Sequence, residues 1–274
     1  MISMQSQILR FFENTQSAIW WPGLVSSIIH KSGRYELLED NYTTASVISN
    51  RTIAPVAILP IPKFSTFKLE FLCEAHASLF KRQEVRQIDI DQFNAPDMVK
   101  RVAVALHLIA ISPQLLDTVE TLAKSIHIIQ AEPGFDVSFT DPALPFSIFV
   151  SIPADNNYPD FRLAEAIIHE SMHLQLSIIE KEICLIQDDR PQHYSPWKKM
   201  LRPASGIMHA LYVFTAIKQW LDILANTSDE HKYARYRIGE IQEELSLLDC
   251  KSCYTSLSES GKVLFDNMIS SLTS

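Results

Sequence analysis

FSIFVSIPADNNYPDFRLAEAIIHESMHLQL, residues 146 to 176, joins two elements of different kind. Its first seven residues, FSIFVSI, have the β-branched and aromatic content of a short buried strand. The proline and asparagine cluster that follows breaks the chain. Asn156, Pro159 and Asp160 then supply turn and capping chemistry for a helix whose apolar face is Leu163, Ala166, Ile167 and Leu174. A strand therefore leads into a helix, and that helix carries His169, Glu170 and His173 as H-E-x-x-H.

Working outward, the strongest apolar patterns have helical period over 68–84, 97–111, 114–130, 161–182, 204–225 and 229–249. Six glycines and fourteen prolines punctuate 274 residues, with no repeats and no low-complexity tract. The expectation is a mainly α protein, a single helical domain with a short β element before the H-E-x-x-H helix. A break near residue 135 would divide it into an N-terminal helical part, 1–135, a candidate for peptide binding, and a metal-binding catalytic part, 136–274, in one continuous domain.

Composition narrows the function classes. A net charge of -8 with no arginine-rich run argues against a nucleic-acid surface, which needs clustered cations for phosphate. The N-terminal segment carries Arg10 and Glu13 and shows no basic n-region or small-residue cleavage site. No segment reaches the roughly 18 to 20 apolar residues of a membrane span. A cytoplasmic location with no membrane partner is expected. Four cysteines, Cys73, Cys184, Cys250 and Cys253, are too few and scattered for a disulfide scaffold, and Cys250-x-x-Cys253 lacks the second pair that a zinc site would need.

On a helix, positions i and i+4 share one face, so His169 and His173 can bring both imidazoles to one ion with Glu170 beside it. With nine histidines in the chain the motif arises by chance in roughly 2 of 100 such sequences, so it needs partners to carry weight. Catalytic zinc or non-haem iron takes a third protein ligand. His209, among the apolar Ile207, Leu211, Phe214 and Ile217, is one candidate; Glu240, Glu243 and Glu244 are rivals, otherwise a solvated helix face. Arg202, beside Pro203, has the planar fork that clamps a carboxylate. From the motif alone, zinc peptidase chemistry with Glu170 as general base is the natural reading.

HESMH, then YSPWKKMLRPASGIMHALYVFTAIKQW, then LSESGKVLFDNM, taken together, resemble the H-E-x-x-H peptide-modification family associated with ribosomally made, post-translationally modified peptides. The resemblance covers roughly residues 139 to 270. It rests on Tyr194, Pro196 and Trp197 before a basic residue, on Arg202-Pro203, on Gly206 and His209 leading into an aromatic helix, and on Leu257-x-x-x-Gly261. Lys198 stands where arginine is usual, and Lys-Met-Leu replaces an acidic-proline run before Arg202. The resemblance implies an iron(II)- and 2-oxoglutarate-dependent peptide β-hydroxylase. It would use His169, His173 and His209 as iron ligands, Arg202 as the 2-oxoglutarate clamp, Glu170 in a supporting role at the catalytic centre, and a ribosomally synthesised precursor peptide as substrate. Zinc peptidase activity and a non-catalytic peptide-binding module are the alternatives.

Overall fold

The computed structural model describes residues 3–14, 18–32, 57–72, 77–132, 134–141, 144, 146–155, 157–190, 192–227 and 231–274; Cys73 and Asn156 lie outside the described residues. The chain divides into two compact units, Trp21–Leu174 and Met1–Trp20 with Gln175–Ser274.

The first unit overturns the expectation of a single helical domain. Its elements are α2 (Pro22–Ser32), β1 (Ala57–Ile61), β2 (Phe64–Phe71), α3 (Ala77–Arg82), β3 (Arg86–Gln87), α4 (Ile90–Phe93), α5 (Pro96–Ile109), α6 (Pro113–Leu122), β4 (Ser125–Gln130), β5 (Ser138–Phe139), β6 (Ser147–Ser151) and most of α7 (Pro159–Ile179). The six strands form one mixed sheet in the order β1-β2-β4-β6-β5, with β3 also paired to β4. β2, β4 and β6 run parallel, while β1, β3 and β5 are antiparallel to their neighbours. The fold is α/β.

Two of the helical-period segments contain strands. Residues 114–130 split into α6 and β4, and 68–84 begins inside β2. The physical reason is burial on both faces. In β4, Ser125 to Ile129 are all buried, and a central parallel strand reads as a continuous apolar run that short windows cannot tell from a buried helix. The remaining helical segments match α5, α7 and two later helices, and FSIFVSI is β6.

The sheet core contains polar groups with defined partners. Glu70 and His127 are fully buried; Ser125 Oγ donates to Glu70 Oε1 at 2.8 Å, His127 Nδ1 sits 3.1 Å from the Glu70 carbonyl, and the His127 ring stacks on Phe149 at 4.6 Å. Phe149 in turn stacks on Phe139 of β5 at 4.5 Å and 3°. Leu72, Phe80, Ile129, Leu144 and Phe149 form an apolar cluster against which Val137 and Phe139 pack. One face of β5 is thereby fixed to the core.

The second unit holds α1 (Met4–Glu13), a hairpin of β7 (His193–Ser195) and β8 (Met200–Arg202), and helices α8 (Ala204–Thr227), α9 (His231–Ser246), α10 (Cys250–Thr255) and α11 (Glu259–Thr273). α8 is buried along most of its length, including Tyr212 and Trp220, as a helix that is apolar all round must be. Its first turn is held by Asp189, whose carboxylate accepts from Ser205 N at 2.8 Å and Ser205 Oγ at 2.9 Å. Tyr212 OH and Gln175 Nε2 both donate to the Ile19 carbonyl, fixing the N-terminal segment to this unit. Gly261 is required by contact: a Cβ there would lie 2.0 Å from the Leu185 carbonyl oxygen. That accounts for the Leu257-x-x-x-Gly261 spacing, since Ser258 N donates to the same carbonyl and Ser258 Oγ caps α11 at Gly261 N.

Candidate metal centre

α7 starts at a sharp corner. Tyr158 takes a left-handed φ of 50°, Pro159 occupies the first helical position, where its missing N–H costs nothing, and Asp160 lies in the first turn. Arg162 secures the corner, donating to Asp155 at 2.6 Å and to Asp136 at 2.7 Å. Leu163, Ala164, Ile167, Ile168, Met172 and Leu174 bury the apolar face. This fixes the rotation of the helix, and with it the direction of His169, Glu170 and His173.

His169 and His173 are half-buried, and their Nε2 atoms lie 3.0 Å apart with ring planes at 72°. Two nitrogens about 2.0 to 2.1 Å from one ion stand about 2.9 to 3.4 Å apart as their angle opens from a right angle to tetrahedral. The pair therefore fits as two ligands of one ion. Glu170 is buried; its Oε1 accepts from Ser138 Oγ at 2.6 Å and lies 3.9 Å from His169 Nε2. The carboxylate is thus anchored by β5 beside His169 Nε2.

The other predicted residues belong to the second unit. His209, on α8, is half-buried with Nε2 3.1 Å from Glu180 Oε2. Arg202 ends β8, and its guanidinium lies on the first turn of α8: a Cβ at Gly206 would meet Arg202 Nε at 3.1 Å and Nη2 at 3.2 Å. Gly206 is the cradle for that side chain. The guanidinium makes no hydrogen bond or ion pair among the described residues, so it is available to an anion. Among the described residues, no group of three or more His, Cys, Asp or Glu side chains is arranged to hold a metal.

Among the rival glutamates, Glu240 accepts from Tyr236 OH at 2.6 Å and pairs with Arg237. Burial raises the Glu244 carboxyl above its ordinary range; Glu244 faces Trp197, whose ring stacks on Phe214 at 5.3 Å. The Trp-basic run is therefore part of the packing of this unit. Cys250 and Cys253 lie on α10; burial pushes the Cys253 thiol up to about 12 and raises Cys250 as well. Thiols held protonated are poor nucleophiles and poor metal ligands.

Two partners of the predicted residues were not read from the sequence. Glu180, the partner of His209, follows His173 by seven in the sequence, a helical spacing that could have flagged it. Ser138 gives no comparable sign, because only the register of β5 on β6 brings it to Glu170.

Comparison of the sequence with family models and with curated proteins returns no match. No helix among the described residues is long and apolar enough to cross a membrane.

Proposed function

We propose that this chain is an iron(II)- and 2-oxoglutarate-dependent hydroxylase acting at the β-carbon of a side chain in a ribosomally made precursor peptide, in the cytoplasm. The observation that carries the reading is the 3.0 Å convergence of His169 and His173 Nε2 on a rotationally fixed helix. A separate observation supports it: Arg202 is an unengaged guanidinium seated on Gly206. When bound, the iron with 2-oxoglutarate supplies the oxygen-activating chemistry. His169 and His173 hold the metal. The third position is assigned to His209, whose ring Glu180 orients by hydrogen bond. Arg202 pairs with a cosubstrate carboxylate through its fork of N–H donors. Glu170, held by Ser138, orients the histidine beside it.

A second reading has one observation in its favour. Glu170 lies 3.9 Å from His169 Nε2, which suits a general base that takes a proton from water in zinc-dependent peptide hydrolysis. That reading leaves Arg202 without a task. The two are separated by mass spectrometry of precursor peptides after anaerobic iron loading and addition of 2-oxoglutarate and air. One added oxygen with stoichiometric succinate is expected. Peptide fragments formed without 2-oxoglutarate would establish the peptidase instead.

A further inference from the structure

β5 is the last strand of the path β1-β2-β4-β6-β5, and its pairing fixes which backbone groups face outward. Ser151 N donates to the Val137 carbonyl at 2.8 Å, and Ser138 opposite Val150 and Phe139 opposite Phe149 continue the antiparallel register. Bonded and non-bonded pairs alternate in such a ladder. With Val137 and Phe139 turned to β6, the N–H and C=O of Ser138 point away from it, as does the N–H of Thr140. Among the described residues these groups have no hydrogen-bond partner.

Such an edge is normally blunted by short length, proline, charge or a bulge. The opposite edge has two of these devices: β1 carries Pro60, with a register shift between Pro60 and Ile61. β5 is short, two residues, which limits it to a single added segment, but Ser138 and Phe139 carry neither proline nor charge. Just before them Gly134 turns the chain at a φ of 86° and leaves Phe135 67% exposed, the largest exposure of any big apolar side chain described. An open row of alternating donors and acceptors next to an exposed aromatic ring is complementary to one partner geometry, an extended backbone with a side chain to lay against the ring. The row also lies at the candidate centre, because Ser138 Oγ holds Glu170, which flanks His169.

We propose that the outer edge of β5 binds the substrate as an added strand: an extended peptide pairs with Ser138 and Thr140, rests an apolar side chain on Phe135, and so passes the histidine pair. This rests on the reading of the chain as a peptide-modifying enzyme. It is tested by selecting binders from a displayed library of random short peptides on the wild-type protein, then synthesising the enriched peptides with single N-methylated amides. A strand turns only every second N–H toward its partner. The expected result is that methylation at alternate positions weakens binding about tenfold or more, while methylation at intervening positions does not. Thr140→Pro, which removes an outward donor and leaves the β6 ladder alone, should weaken the same peptides, and Phe135→Ala should weaken them less. Failure to enrich any peptide, loss without a period of two, or full binding to Thr140→Pro would overturn the edge site. The functional reading fails separately. Peptides that bind with the two-residue period yet yield neither added oxygen nor succinate count against the hydroxylase alone, and oxygenation of peptides without that period counts against the edge alone.

Discussion

His193 and the pair His169 and His173 occupy opposite situations. His193 is buried on β7, with Ser252 Oγ 3.0 Å from Nδ1 and Ser256 Oγ 3.0 Å from Nε2. Both ring nitrogens are satisfied by hydroxyls that can donate or accept, so the imidazole is a packing group with complete polar bookkeeping. His169 and His173 instead aim Nε2 at each other, half-buried, beside a carboxylate fixed by another element. The two situations differ in what each ring nitrogen faces: serine hydroxyls for His193, a second imidazole for the pair. His127 belongs with His193, wedged between the Glu70 carbonyl and the Phe149 ring.

His209 is the residue on which this comparison can break. Its Nε2 contacts Glu180, which resembles satisfaction, yet the proposed function makes it a ligand. His209→Ala should weaken iron(II) binding about a hundredfold or more in an anaerobic titration; unchanged affinity would move it to the structural class. Next in size, Arg202→Ala should raise the 2-oxoglutarate concentration for half-maximal succinate formation by about 10- to 150-fold, the loss of a charge-assisted contact of roughly 1.5 to 3 kcal/mol. Succinate formation indifferent to this change would remove the clamp.

His193→Ala sharpens the contrast from the other side. It removes the His193 partner of Ser252 Oγ and one of the two partners of Ser256 Oγ, and should cost roughly 1 to 3 kcal/mol in denaturant unfolding while metal content stays the same. Loss of metal from a folded His193→Ala protein would contradict the division drawn above. The smallest effect belongs to Glu170→Gln, which keeps an acceptor for Ser138 Oγ. Succinate formation should fall by about tenfold, the low end for a group that orients a ligand, because the amide keeps part of the contact. Complete loss of turnover with metal retained would favour the peptidase reading.

Much of the candidate centre was legible in the sequence, and less of the fold. α7 announced itself through Pro159, Asp160 and a continuous apolar face, and helical geometry alone placed His169 over His173. α8 and α9 were legible for the same reason. The sheet was hidden because its central strands lack the alternation that marks a half-exposed strand; Ile126, His127, Ile128 and Ile129 are buried on both faces. Long-range register was the other gap. Nothing local to Ser138 points to Glu170, thirty-two residues later, and nothing local to Arg202 shows that Gly206 would seat its guanidinium, although the four-residue spacing permits it.

The central claim, that His169 and His173 form a metal site while His193 does not, is tested most directly by metal content. The wild-type chain, loaded anaerobically with iron(II) and desalted, should retain one equivalent, and the His169→Ala, His173→Ala double variant should retain none while unfolding at an unchanged denaturant midpoint. One equivalent of iron in the double variant would contradict the account.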